Sequence, residues 1–333
     1  MEFVAGGGST RSVLGGRLVV DLSESAVLGQ GSFAVVRKAM LDHRTSCACK
    51  EYLNADASRE QFEAEIGILR RLSAGSPIVE LIAASDPASG DEFAMALELG
   101  VCTLEEHVSA AQRPLVAEQV RSIALQCATA LAHLEKLALV AVDFKPSNIM
   151  AFPNGAAEHC WKLIDADSFL ATGTEVSAED ASVTPLYCPP EIARIFCEAD
   201  ATVKVPANAH SWNLGAVLLE VLAGGEAWLA KRYNVCRAVH GEDTDGVVKS
   251  FFSWLADQRA QVERSRDEAI ARNGPTLLLS ELLASLLAVA HGQRVSARSA
   301  LRHGFLLSEA PQGHCHVLLT TLFRPKCWPT GRD

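Results

Sequence analysis

The stretch VAVDFKPSN, Val140 to Asn148, sets an acid, a cation and an amide (Asp143, Lys145 and Asn148) within six residues, directly behind the apolar run LALVAV. So short a pattern says little alone, and its weight comes from what flanks it. Upstream, Val116, Val120, Ile123, Cys127, Leu131 and Leu134 recur at helical spacing, so a long amphipathic helix is expected to lead into it. Downstream, WKLIDADSF (161–169) reads as a short strand pair or strand-turn carrying Asp165. HSWNLGAVLLEVLAG, His210 to Gly224, is apolar nearly all round, the pattern of a helix at the centre of a helical region. Residues 248–272 read as one charged, solvated helix, with two short helices expected after it up to Leu307.

Before Gly100 the pattern is different. Val35–Val36 and CACKEYL are strand-like, and residues 57–72 read as a helix with Phe62, Ile66, Leu69 and Leu72 on one face. In LGQGSFAVVRKA, Leu28 to Ala39, the glycines allow a tight hairpin whose backbone N–H groups can approach phosphate oxygens. In CACKEY, Ala48 and Lys50 alternate to the same strand face. Ala48 is small enough to lie over an adenine, and Lys50 can reach α- and β-phosphates. A lone strand lysine is ordinarily a solvated edge charge, so Lys50 needs a partner. Glu65 lies three residues after Phe62 and four before Leu69, which turns it to the buried side of its helix. A carboxylate there is costly unless paired, whereas Glu63 faces solvent.

The order is therefore a small β-rich part followed by a large α-rich part, with no internal repeat. The expected divisions are a Gly/Ser-rich flexible leader at 1–16, a first lobe at 17–99, a second at 100–308 and a tail at 309–333. With 49% hydrophobic residues, the 333-residue chain can build a sizeable core. Its net charge of -10 argues against nucleic acid as a partner, since a nucleic-acid binder needs a basic face. No apolar run reaches membrane-spanning length and no secretory signal is evident, so the expectation is a soluble, cytoplasmic protein without a membrane partner. None of the ten cysteines forms a C-x-x-C pair, and Cys127, Cys160 and Cys188 sit in apolar runs, as reduced buried thiols do. His314–Cys315–His316 with Cys327 fits no familiar zinc spacing.

From about residue 20 to 308, these motifs in this order resemble the eukaryotic protein-kinase superfamily, of the serine/threonine type. The resemblance implies an α+β, bilobal fold with a small β-rich N-lobe and a large helical C-lobe. It implies ATP and Mg2+ as cofactors and a protein Ser or Thr hydroxyl as acceptor. Leu28, Gly29 and Gly31 would then belong to the loop over the phosphates. Val36 and Ala48 from above and Met150 from below would sandwich the adenine. Leu97 would guard the back of the pocket, and the backbone of Glu98 and Gly100 would bond the ring. Lys50, fixed by Glu65, would grip phosphates. Asp143 would orient or deprotonate the hydroxyl, Lys145 would neutralise the transferring group, and Asn148 and Asp165 would hold Mg2+. Thr184, in TPLYCPPE, would bond Asp143 and Lys145, and Glu191 with Arg294 would form a structural ion pair.

The chain departs from the family where support is expected. Ala141 and Val142 replace His-Arg, Ala166 and Asp167 replace Phe-Gly after Asp165, His210 replaces an Asp that bonds the backbone at the His-Arg site, and Ala34 replaces a glycine. On this reading the anchor of the catalytic loop is lost as a set. Uncompensated truncation of a core aromatic costs about 3–5 kcal/mol, so Met95 or Phe169 is expected to fill the space. Without the Arg, no activation-loop phosphate switch of the usual kind is expected, although Thr172, Thr174, Ser177 and Ser182 lie in that segment. Asp167 reads either as a solvated turn residue or as an extra carboxylate near the metal. Three functions remain open: an active protein kinase, a pseudokinase that binds nucleotide or serves as a scaffold, and a small-molecule kinase, against which the Thr184–Glu191 segment argues.

Overall fold

The computed structural model describes residues 9–31, 33–53, 57–72, 75–86, 92–111, 113–154 and 158–308. It opens with a hairpin of β1 (Thr10–Val13) and β2 (Leu18–Asp21), turned by Leu14, Gly15 and Gly16 at positive φ. The leader expected over 1–16 is thus corrected from Thr10 onward. Val13, Leu18 and Val20 are buried, and Arg11 pairs with Glu51 and Glu92, so this segment has both apolar and ionic reasons to dock.

Strands β3 (Val27–Gln30), β4 (Ala34–Leu41), β5 (Thr45–Tyr52), β6 (Leu81–Ala84) and β7 (Ala94–Glu98) complete an antiparallel sheet in the order β1-β2-β4-β5-β7-β6, with β3 also pairing β4. Helix α1 (Ala57–Arg71) lays Phe62, Ile66 and Leu69 into the core. Phe62 packs edge-on to Tyr52, with ring centroids 5.5 Å apart.

Beyond the Glu98–Gly100 linker come β8 (Cys102–Thr103), α2 (Leu104–Ala110) and α3 (Ala117–Lys136). Val120, Ile123, Cys127, Leu131 and Leu134 are buried as the periodicity predicts; Val116 precedes the helix and is exposed. Next are β9 (Leu139–Ala141), β10 (Ile149–Asn154), β11 (Glu158–Leu163), β12 (Phe169–Ala171) and β13 (Glu175–Val176), which pairs β14 (Val203–Lys204). Helix α4 (Pro190–Ala193) lies between them. A parallel bridge between Ile78 and Leu163, with Val79 N–H on the Leu163 carbonyl (2.7 Å), ties the two lobes behind the site.

Helix α5 (Ala209–Leu222) is the centre of the second lobe, buried from Ala209 to Val221. Gly215 is required there, because a Cβ would lie 2.6 Å from Leu287 Cγ. Helix α6 (Ala230–His240) follows. The single helix expected at 248–272 is two, α7 (Thr244–Asp257) and α8 (Arg259–Asn273). They part at Gln258 (φ −99°, ψ 51°), where α7 turns Phe251, Phe252 and Leu255 inward while α8 keeps most of its charges outside. Three short helices follow, not two: α9 (Leu277–Leu286), α10 (Ala297–Ala300) and α11 (Gly304–Leu307).

Among the described residues no helix is long and apolar enough to cross a membrane. The eight described cysteines are free, with Cys127 and Cys188 buried and Cys160 half-buried. The 314–316 and Cys327 group lies outside the described residues.

Candidate active site

Strand register builds the upper wall. Gly29, Val36, Lys50 and Met95 stand opposite one another across β3, β4, β5 and β7, and Ala48 stands opposite Leu97. Since residues two apart share a face, Val36, Ala48, Lys50 and Leu97 all line one side of the sheet. Leu28 is exposed, and a Cβ at Gly29 would meet nothing within 4 Å, so the hairpin tip presents open backbone.

The lower wall is Met150 on β10, packed beneath the linker. A Cβ at Gly100 would come 2.1 Å from Met150 Sδ, so glycine is what lets the linker lie on this side chain. The Glu98 N–H bonds the Glu80 carbonyl (3.1 Å). Its carboxylate takes Lys162 Nζ (2.6 Å) and the Glu80 N–H (2.8 Å), pinning the linker to β11.

Lys50 and Glu65 meet in the core, with Nζ 2.8 and 3.0 Å from the two carboxylate oxygens. Glu65 is fully buried, and Tyr52 donates a further hydrogen bond to it. Lys50 Nζ also reaches Asp165 Oδ1 at 3.4 Å and Asp167 Oδ2 at 3.9 Å. Burial opposes the ammonium charge, but Glu65 and then Asp165 outweigh it and raise the Lys50 pKa above the ordinary value. The Asp167 carboxyl is pushed up to about 7, first by burial and then by repulsion from Asp165. Asp167 is nonetheless exposed, its side chain 44% accessible, so it lies at the solvent edge of the site within reach of Lys50.

The catalytic-loop residues converge below. Asp143 accepts Lys145 Nζ on one oxygen (2.6 Å) and the Thr184 N–H on the other (2.8 Å). Lys145 Nζ also donates to Thr184 Oγ1 (2.8 Å). Asn148 Nδ2 bonds the Asp143 carbonyl (3.0 Å) and lies 3.4 Å from Asp165 Oδ2. The seven polar residues singled out by sequence (Lys50, Glu65, Asp143, Lys145, Asn148, Asp165 and Thr184) thus form one connected network. Asn148 and Asp165 offer hard oxygen donors of the kind Mg2+ takes, and that ion ordinarily draws its other ligands from phosphate and water.

Away from the reacting centre, Arg294 grips Glu191 through two bonds of 2.6 and 2.9 Å. The loop anchor expected to be missing is present in another form. The Ala141 N–H is 3.4 Å from His210 Nδ1, and Asn213 Nδ2 donates to the Val142 carbonyl (3.3 Å). His210 Nε2 lies 3.3 Å from Glu135 Oε1. Burial alone would raise the Glu135 carboxyl, but bonds from His210, Arg298 and Ala297 hold it below its ordinary value. Sequence reasoning missed Tyr52, Glu135, Lys162 and Asn213. Tyr52 could have been found as the i+2 neighbour of Lys50 on the strand, and Asn213 as the i+3 neighbour of His210 on the helix.

Comparison with known proteins gives a consistent picture. The protein kinase domain model matches residues 22–306. The chain is 27% identical over 297 residues to death-associated protein kinase dapk-1 of Caenorhabditis elegans, covering 81% of this chain and 20% of that protein. It is 28% identical over 211 residues to homeodomain-interacting protein kinase 4 of Homo sapiens, covering 60% and 32%. It is 31% identical over 219 residues to receptor-like protein kinase ANXUR2 of Arabidopsis thaliana, covering 62% and 24%. The chain spans about a fifth to a third of the length of these relatives.

Proposed function

The chain belongs to the protein kinase family, and from that premise we propose that it is an ATP- and Mg2+-dependent kinase transferring the γ-phosphoryl group to a Ser or Thr hydroxyl of a protein. The observation that carries this reading is the Asp143 carboxylate held between Lys145 Nζ and the Thr184 N–H. Phosphoryl transfer depends mainly on positioning and electrostatics, so a fixed polar constellation matters more than its apolar supports.

In this reading Lys50, steadied by Glu65 and Tyr52, binds the α- and β-phosphates. Asp143 orients the acceptor hydroxyl and takes its proton at a carboxylate oxygen. Lys145 neutralises charge on the transferring group and, through Thr184, joins it to the segment that would receive the substrate. Asn148 and Asp165 would hold Mg2+, which when bound neutralises phosphate charge. Val36, Ala48, Leu97 and Met150 shield the base from water, with Leu28, Gly29 and Gly31 above the phosphates and Gly100 beside the ring. The net charge of -10 supports a protein partner over nucleic acid. The free thiols support a reducing, cytoplasmic setting.

A second reading, a nucleotide-binding or scaffold module without transfer, is favoured by one observation: Asp167 crowds Lys50 and Asp165. Labelled ATP, Mg2+ and a generic basic protein substrate decide between them. Transfer by the wild type but not by Asp143→Asn supports the kinase; equal background in both removes it.

A further inference from the structure

Asp167 stands where the family pattern has glycine, yet its backbone is not at positive φ, so an acidic side chain is carried there without strain. The turn that bears it is fixed on three sides. The Phe169 N–H bonds the Ala166 carbonyl (3.2 Å), Ser168 Oγ donates to the Asp165 carbonyl (3.3 Å), and the Ser168 carbonyl accepts the Val142 N–H (3.3 Å). The carboxylates of Asp165 and Asp167 are both partly open, with side chains 30% and 44% accessible, so a hydrated ion can reach them from solvent.

Charge is unbalanced at this edge of the site. Three carboxylates surround Lys50 Nζ: Glu65 at 2.8 Å, Asp165 at 3.4 Å and Asp167 at 3.9 Å. Glu65 takes the ammonium through both oxygens, and Asp165 and Asp167 share what is left. Lys145 is not free to help, because Asp143 and Thr184 hold it. Two like charges drawn to one cation repel each other, and a divalent cation between them offsets that repulsion. The second Asp165 oxygen already turns from Lys50 toward Asn148, 3.4 Å from its amide. Mg2+ ordinarily takes one or two carboxylates and completes its shell with substrate phosphate and water. With Asp165 as the one carboxylate, the ion depends on phosphate for negative charge. Asp167 supplies that charge from the protein.

We propose that Asp167 is an added oxygen donor to the divalent cation, so that this chain binds the metal before nucleotide and takes up nucleotide on the metal-loaded site. The inference rests on the reading of Asp165 and Asn148 as metal donors, but its test needs no phosphoryl transfer. Mn2+ is the probe, titrated into the whole chain without nucleotide and followed by the spin resonance of the free ion. The wild type is expected to bind it, and Asp167→Asn to bind it at least about tenfold more weakly, as when a partner at a metal centre is removed. Asp167→Gly, which restores the family residue, is expected to match Asp167→Asn. No binding by the wild type, or equal affinity in wild type and variants, overturns the proposal. ADP binding by calorimetry, in EDTA and in Mg2+, separates a metal donor from an obstacle beside Lys50. For a donor, Asp167→Asn tightens ADP in EDTA and lowers the factor by which Mg2+ improves that affinity by about tenfold. An equal change with and without Mg2+ makes Asp167 a competitor for Lys50 alone and overturns the proposal. If Mn2+ binds through Asp167 and the wild type transfers no phosphate, the kinase reading falls and the metal assignment stands.

Discussion

Phe169 stands directly across an antiparallel pair from Ala141, and its own N–H bonds the carbonyl of Ala166 (3.2 Å). One buried aromatic thus adjoins both alanines that replace larger side chains in the family pattern. That position is the one a compensating side chain would need, given the cost of an empty core site. Phe169→Ala should destabilise the fold by about 3–5 kcal/mol, read as a drop in denaturation midpoint. A loss under about 1 kcal/mol would mean that other side chains fill the space.

Tyr52 gives Glu65 a second hydrogen bond beside Lys50. Tyr52→Phe keeps the ring against Phe62 and removes only the hydroxyl. A hydrogen bond to a buried charge contributes about 1.5–3 kcal/mol, so the melting temperature should fall and the thermal shift on adding ATP should shrink. An unchanged shift would separate Tyr52 from nucleotide binding.

Gly100 carries the linker over Met150. Gly100→Ala should push Met150 from beneath the ring and raise KM for ATP while leaving kcat within about twofold, as expected when only uniform binding is lost. A selective fall in kcat would assign Gly100 another role.

Tyr187 donates to Glu220 Oε2 at 2.5 Å beneath the activation segment. Burial is the main cause that pushes the Glu220 carboxyl up to about 7 from 4.5, with the Tyr187 bond opposing it. The native state therefore binds this proton more tightly than the unfolded chain. Its contribution favours the fold below pH 4.5, declines as pH rises from 4.5 to about 7, and is lost above that. Glu220→Gln should flatten this part of the melting temperature against pH; an unaltered slope would place the dependence elsewhere.

The polar constellation was legible because each residue is a costly exception in its surroundings. Glu65 on an apolar helix face and Lys50 on a strand announce each other. The role of His210 was not legible, because a histidine for an aspartate reads as a loss until geometry shows which ring nitrogen faces which partner. No periodicity connects positions 141 and 210. The break at Gln258 escaped the pattern because both flanks are helical in composition and only packing sets their directions. Strand β1 was hidden by its glycine-rich neighbours, since pairing with β2 is what makes it a strand.

Two ties from the last part of the chain reach back to the site: Arg294 holds Glu191, and the N–H groups of Ala297 and Arg298 hold Glu135. During synthesis, every residue of the polar constellation leaves the ribosome well before these ties can form. A nascent chain thus carries the full chemistry of the site before its bracing, and the order of translation places the fastening of the catalytic loop after the arrival of its reacting groups.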